Sequence, residues 1–357
     1  MSERLYLDHA ATTPVLLEAR EAMARALEAW ANPSSPHADG RRARAALEDA
    51  RRVVAEVLGW RQDVILTSGA SEAIQIVAER AKLKRRIVGP TEHDAVIAAM
   101  GRGAEQLAVD GNGLIDVAAL EATLREPALI AIQLVNNETG SIQPIDRIYD
   151  LVRASGSLLL CDCAQAAGKI DLPEADFIAV SGHKFGGPPG AGMLLVKDLG
   201  TLEPTGGQER GYRRGTENLP AAAAMAAALK SRAFADAMPT LASLRQYLEA
   251  EMLASGGVAI ASGAHRIATI GAYAMPGLES SSQLVQLDLA GISVSAGSAC
   301  SSGSMKPSRV LGAMGVPREI AASVIRVSFG PSTSKSDLDR FLAEWRKIGN
   351  RAKAVAA

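Results

Sequence analysis

The sequence predicts an α/β fold, with a large domain built on a mostly parallel sheet between helices and a second, smaller α/β domain after it. Three observations carry this. Short apolar runs rich in β-formers alternate with longer segments of helical period, as they do in chains of βαβ units. The runs are continuously apolar, which requires burial on both faces and so helices above and below the sheet. After about Ser255 the texture changes, with a break at Gly256-Gly257 and shorter strand and helix signals beyond it.

The strands are expected at Val64 to Ser68, Leu129 to Val135, Leu158 to Cys161, Phe177 to Val180 and Gly192 to Val196. Between and after them, helices are expected at Ser71 to Arg80, Ile145 to Ala154 and Glu217 to Ala235, the last nearly all alanine and strongly helix-favouring. Ser71 is the expected N-cap of its helix. A final helix is announced by Ser334-Lys335-Ser336-Asp337, which has capping-box spacing before the periodic Leu338, Phe341, Trp345 and Ile348. After Asn350 only a short frayed Ala/Lys stretch is expected.

Composition narrows the function. The 357 residues are 48% hydrophobic and 22% charged, enough for a large core and too many for one small domain. Lys and Arg number 38 against 39 Asp and Glu, a net charge of -1 that offers no bulk attraction to nucleic acid or to an anionic membrane. No apolar run reaches the ~18 residues of a membrane span, and Met1-Ser2-Glu3-Arg4 lacks the apolar core of a signal peptide, so a cytoplasmic location is expected. Three cysteines cannot all pair and fit a reducing compartment.

The chemistry concentrates in a few places. Lys184 lies in Ser181-Gly182-His183-Lys184-Phe185-Gly186-Gly187-Pro188, small turn-forming residues at the end of an apolar run. A solvated lysine has a pKa near ~10.4, whereas one withdrawn from water can lose its proton and attack a carbonyl; the alternative is a structural lysine beside a turn. Thr67-Ser68-Gly69-Ala70-Ser71-Glu72 closes a strand and opens a helix, an arrangement that is either a simple helix cap or an anion site of backbone N–H groups and hydroxyls. Asp162 follows directly on a buried strand and must be paired or touch a ligand. An aspartate for a protonated pyridine nitrogen, a lysine for an aldehyde and a helix N-terminus for a phosphate are together the parts of a pyridoxal 5'-phosphate (PLP) site. Cys161 and Cys163 flank Asp162 without further ligand-like spacing, and read better as packed core thiols than as a metal site. Arg326 interrupts the apolar strand Val324 to Phe329, either as the two-pronged grip on a carboxylate or as half of an internal salt bridge. Cys300 sits in Ser298-Ala299-Cys300-Ser301-Ser302, small and polar on both sides, where a free thiol suits a nucleophile better than a core filler, with an oxidation-prone bystander as the alternative.

These stretches occur in order with Tyr6-Leu7-Asp8-His9-Ala10-Ala11-Thr12-Thr13-Pro14, Asn32-Pro33-Ser34-Ser35-Pro36-His37, Glu92-His93, Val135-Asn136-Asn137-Glu138-Thr139-Gly140, and Gly207-Gln208-Glu209-Arg210-Gly211 through Arg214-Gly215-Thr216. The chain resembles the PLP-dependent cysteine desulfurases of the NifS/IscS type, within the class V aminotransferases, from Tyr6 to about Gly330. The resemblance implies the type I PLP-dependent aminotransferase fold, with residues 15–255 as the PLP-binding domain and residues 1–14 with 256–357 as a small domain carrying the cysteine loop. Lys184 then matches the lysine that anchors the cofactor, Asp162 the partner of its pyridine nitrogen, Gln165 a donor to its ring oxygen, His93 the imidazole stacked on the ring, and Asn137 a further ring contact. Ala70, Ser71, Ser181 and His183 match the phosphate cradle, Ser71 standing where the family usually has threonine. Thr216 matches a residue that reaches the neighbouring subunit's phosphate, which implies a homodimer with shared active sites. Arg326, assisted by Asn32, matches the anchor of the substrate carboxylate, and Cys300 the thiol that takes sulfur from L-cysteine and leaves L-alanine. A sulfur-acceptor protein, either an iron–sulfur scaffold or a sulfur carrier serving tRNA thiolation, is the implied partner. A selenocysteine lyase or another class V aminotransferase is the alternative.

Overall fold

The computed structural model describes residues 4–297 and 307–356. Seven strands form one sheet: β2 (Asp63–Thr67), β3 (Arg86–Val88), β4 (Glu105–Gln106), β5 (Leu129–Gln133), β6 (Leu158–Asp162), β7 (Phe177–Ser181) and β8 (Gly192–Val196), following the two-residue β1 (Leu5–Tyr6) in the chain. Their order is β2-β8-β7-β6-β5-β3-β4. Pairings from β4 through β7 are parallel, and β8 is antiparallel to both β7 and β2. Every residue of β5, β7 and β8 is buried, as continuous apolar runs require when helices cover both faces. The sheet separates two cores. Leu159, Cys161 and Cys163 pack on one side and Leu160 on the other, so that alternation puts Asp162 on the Leu160 face.

Beyond residue 255, β9 (Val258–Ala259), β10 (Ile270–Ala274) and β12 (Val324–Ser328) form an antiparallel sheet with β10 in the middle, while β11 (Ile292–Ser293) pairs in parallel with β1. A bridge from Asp8 to Ser328 joins the N-terminal segment to β12. The helix Lys335–Ala356 covers this region with Leu338, Phe341, Trp345 and Ile348 buried. Its capping box is formed reciprocally: the Ser334 N–H donates to Asp337 Oδ2 at 2.8 Å, and the Asp337 N–H to Ser334 Oγ at 3.3 Å.

Several expectations are corrected. The alanine-rich stretch is not one helix from Glu217 to Ala235. It runs Leu219–Lys230, capped by Asn218, and a second helix, Ala233–Ala254, starts after Arg232 turns left-handed at φ 55°. Alanine propensity carries no information about such a break. The last helix continues past Asn350 to Ala356, since Arg, Ala and Lys favour helix over fraying. Ser71 is not an N-cap: Gly69 holds that position and Ala70 is the first helical residue. The reason is a close approach, because a Cβ on Gly192 of β8 would stand 2.4 Å from Gly69 Cα, so that the turn lies directly on the sheet. β3 and β4 had no signal strong enough to be expected.

One buried ion pair fixes the 209–216 segment to the sheet edge. Glu209 accepts from Arg51 Nη1 at 2.7 Å and Nη2 at 3.0 Å, and from the Leu66 N–H at 2.7 Å. Glu209→Ala removes the two-pronged partner of the buried Arg51 guanidinium, which keeps only the more exposed Glu48 at 3.0 Å, and is expected to cost about 3 kcal/mol, read as a lower urea midpoint at unchanged slope.

Candidate active site

The parallel strands β5, β6 and β7 end side by side, at Gln133, Asp162 and Ser181, and the β2-to-helix turn ends beside them. In α/β sheets this edge is where ligands bind. Asp162 is buried, and its Oδ1 accepts from the Ala164 N–H at 2.9 Å, while no described residue bonds its Oδ2. Burial pushes its carboxyl up from the ordinary value, against the downward pull of that N–H, of His93 and of Lys184.

Lys184 ends a short turn after β7. Its Nζ donates to the carbonyls of Ala10 at 2.8 Å and Ala11 at 2.7 Å, and to no carboxylate. Burial, helped by the positive Arg326 and opposed by Asp162 and Asp8, lowers its pKa to about 8. The amine is therefore held by neutral acceptors and is substantially deprotonated just above neutrality. His183, beside it, meets Thr12 Oγ1 at 3.1 Å and is brought to about 4 by burial and by the two lysines 184 and 169, so its ring stays neutral. His93 caps the helix Asp94–Met100: its Nδ1 accepts from the Ala95 N–H at 3.1 Å, which leaves Nε2 as the N–H-bearing atom of the neutral ring.

The turn Ser68 to Ser71 opens the helix Ala70–Arg80, whose first N–H groups have no carbonyl behind them. Ser181 Oγ faces this turn, 3.8 Å from where a Gly69 Cβ would be. The free N–H groups at the start of this helix and the Ser181 hydroxyl thus lie near one another, and His183 and Lys184 follow Ser181 in the chain. Such donors suit a phosphate. A carboxylate with one free oxygen, an amine close to deprotonation and this anion cradle fit the handle, ring nitrogen and aldehyde of PLP.

Arg326 forms the internal salt bridge, one of its two expected alternatives. It is 5% exposed; its Nη2 pairs with Asp8 Oδ1 at 2.9 Å and its Nη1 donates to the Asn137 carbonyl at 2.9 Å. The internal salt bridge is real. Even so, among the described residues its Nε is buried without a partner and each Nη keeps a second N–H, donors that a carboxylate would suit.

The roots of the 298–306 segment are tied to the same place. Ser295 Oγ donates to Asp8 Oδ2 at 2.8 Å, and the Arg326 N–H donates to the Ser295 carbonyl at 2.6 Å. On the other side Ser308 Oγ donates to Glu138 Oε2 at 2.6 Å, and Arg309 donates to the carbonyls of Pro90 and Glu92, immediately before His93. Cys300 itself lies outside the described residues.

Not every expected residue joins this set. Asn32 Oδ1 accepts from the Ser34 N–H at 2.9 Å, Thr216 is exposed in the 206–216 segment, and the Asn137 side chain makes no hydrogen bond to the cluster. The Gln165 amide donates to the Ala10 carbonyl at 2.8 Å. Cys161 and Cys163 are fully buried with their sulfurs 3.6 Å apart, as core thiols. Among the described residues no cluster of three or more His, Cys, Asp or Glu side chains could hold a metal, and no helix is long and apolar enough to cross a membrane. Sequence reasoning gave no role to Asp8, Ala10, Ala11 or Thr12. Their one signal was position within the motif Tyr6 to Pro14.

Comparison with known proteins agrees with this geometry. The class-V aminotransferase family profile matches residues 5–341. The chain is 36% identical over 380 residues to a protein of Cereibacter sphaeroides named cysteine desulfurase, covering 99% of this chain and 98% of that one. It is 34% identical over 382 residues to one named cysteine desulfurase IscS from Dictyoglomus turgidum, covering 100% and 97%. A solved NifS-like protein from Rickettsia africae superposes with a TM-score of 0.89 at 26% identity, over 98% of this chain and all of that one. The chain belongs to the class-V aminotransferase family.

Proposed function

We propose that the chain is a PLP-dependent cysteine desulfurase, which removes the sulfur of L-cysteine to leave L-alanine and carries that sulfur on Cys300. The observation that carries this reading is the placement of the desolvated Lys184 amine at the strand ends, with Asp162 and Arg326 acting on it electrostatically and both roots of the Cys300 segment bonded to the same cluster. A plain aminotransferase has no use for a thiol there.

Ala70, Ser71, Ser181 and His183 would hold the phosphate of PLP, Asp162 its ring nitrogen, Gln165 its ring oxygen, and His93 and Asn137 its ring faces and edge. Bound there, PLP supplies an aldehyde for amines and an electron-withdrawing ring that eases loss of the substrate's Cα proton. Arg326, held in place by Asp8, orients the substrate carboxylate, with Asn32 assisting. Lys184, uncharged above about pH 8, is the base for the Cα proton. His93 returns a proton near the substrate. The Cys300 thiolate forms an S–S bond with the substrate sulfur while the C–S bond breaks; the C–S electron pair stays with the substrate Cβ, which takes up a proton to become the methyl group of alanine, and the sulfur stays on the enzyme.

Residues 15–255 would form the cofactor domain and residues 1–14 with 256–357 the smaller one. The exposed Thr216, without a hydrogen bond to any described residue, supports a homodimer in which it serves the neighbouring subunit. The acceptor of the sulfur is taken to be an iron–sulfur scaffold or a sulfur-carrier protein, in the cytoplasm. The test supplies sulfur-labelled L-cysteine to the PLP-loaded chain: one alanine per labelled sulfur retained on protein is expected, and keto acid formed without bound label would replace desulfuration by transamination.

A further inference from the structure

Lys169 is 4% exposed and pairs with no carboxylate among the described residues. Its Nζ stands 3.4 Å from Gln165 Oε1 and 5.0 Å from the centre of the Phe234 ring. Leaving water is costly for an ammonium, and burial with the nearby Lys184 charge lowers its pKa to about 7. Methionine would fill the same space at less cost. A lysine held there against its solvation preference needs a task.

The far side of the amide supplies one. Gln165, itself buried, donates from Nε2 to the Ala10 carbonyl at 2.8 Å, the same carbonyl that accepts from Lys184. A continuous chain of contacts thus runs from Lys169 through the Gln165 amide and the Ala10 carbonyl to the Lys184 amine. A glutamine amide can turn over, exchanging its oxygen for its NH2 group. Charged or neutral, the lysine amine donates to the oxygen, and the Phe234 ring face steadies the cation. A turned amide would set its NH2 against that amine and its oxygen against the Ala10 carbonyl.

We propose that Lys169 is a positioning residue: from behind Gln165 it fixes which way the amide faces, so that N–H groups and not oxygen are presented to the cofactor site. This rests on the assignment of that site to PLP. The amide orientation belongs to the protein alone and precedes any ligand.

The test is a double-mutant cycle on the full-length chain, read as the dissociation constant for PLP. Lys169→Met and Gln165→Ala are each expected to weaken binding about five- to tenfold, the weight of one hydrogen bond, and the double variant no more than Gln165→Ala alone. Lys169→Arg, whose guanidinium both stacks on Phe234 and donates, is expected to stay within about twofold of wild type. Losses that multiply in the double variant would mean that Lys169 acts independently of Gln165 and would overturn the proposal. In the cofactor-free chain, the Gln165 side-chain amide protons are expected to exchange about tenfold faster in Lys169→Met; an unchanged rate likewise overturns it. If Lys169→Met does not fold, Gln165→Glu decides, since it keeps an oxygen for Lys169 and removes every N–H from the site: binding as in wild type sinks the idea. A wild-type chain that takes up no PLP refutes the site assignment instead, and the exchange measurement still stands.

Discussion

Cys300→Ser is expected to abolish sulfur transfer while leaving the cofactor bound and spectroscopically unchanged. A thiol of pKa near ~8.5 is a few per cent thiolate at neutral pH and intrinsically very nucleophilic, whereas a serine hydroxyl is not ionised there. Oxygen in that position cannot take up and pass on a sulfur atom. A fall of at least about a thousandfold in sulfide release with a reductant is expected, the scale on which removal of a nucleophile acts. Lys184, Asp162 and Arg326 are all kept in the variant, so PLP absorbance and L-cysteine binding should persist. Sulfide release at the wild-type rate would remove Cys300 from the chemistry and leave a different thiol or free sulfide elimination as the route.

Lys184→Ala is expected to remove both covalent cofactor binding and the base. Reduction with borohydride should fix PLP irreversibly to the wild-type chain and not to the variant; a covalently labelled variant would move the anchor to another amine. Loss of the base alone costs about 10²–10⁴-fold in rate. The same residue sets a pH dependence. Its pKa in the folded chain, about 8, lies below that of a solvated lysine because burial and Arg326 outweigh Asp162 and Asp8. A depressed value means that the free amine is the majority form above about pH 8, so PLP uptake by the cofactor-free chain should rise with pH through that region. A midpoint near the ordinary lysine value would place Lys184 in water and contradict its contacts with Ala10 and Ala11.

Much of the large sheet was legible because its strands are continuous apolar runs, and the C-terminal capping box because its residues are three apart in sequence. Lys184, Asp162 and the 67–72 turn were legible for a related reason: each lies at the end of such a strand. What escaped was carried by long-range geometry. Asp8 pairs with Arg326 across 318 positions, and no local pattern announces that. Ser71 was misread as a cap because the approach of Gly192 to Gly69 joins two strands far apart in the chain. The left-handed Arg232 breaks a stretch whose composition argues for one helix, since propensity sums over a window and cannot see one residue's φ. Lys169 was passed over for the opposite reason: a lone lysine in a loop is normally solvated, and only packing reveals that this one is not.

The N-terminal segment makes the site depend on the order of synthesis. Residues 5–8 leave the ribosome long before their partners, since β1 needs Ile292 and Ser293, and Asp8 needs Arg326. The seven-stranded sheet, complete by Val196, can form while β1 and Asp8 are still without these partners. Nascent chains halted before β12 would therefore hold Lys184 on a finished sheet with β1 and Asp8 still unpaired, and with Arg326 missing from the site. The substrate-facing Arg326 and its Asp8 partner are then joined to the cofactor residues only after β12 has emerged.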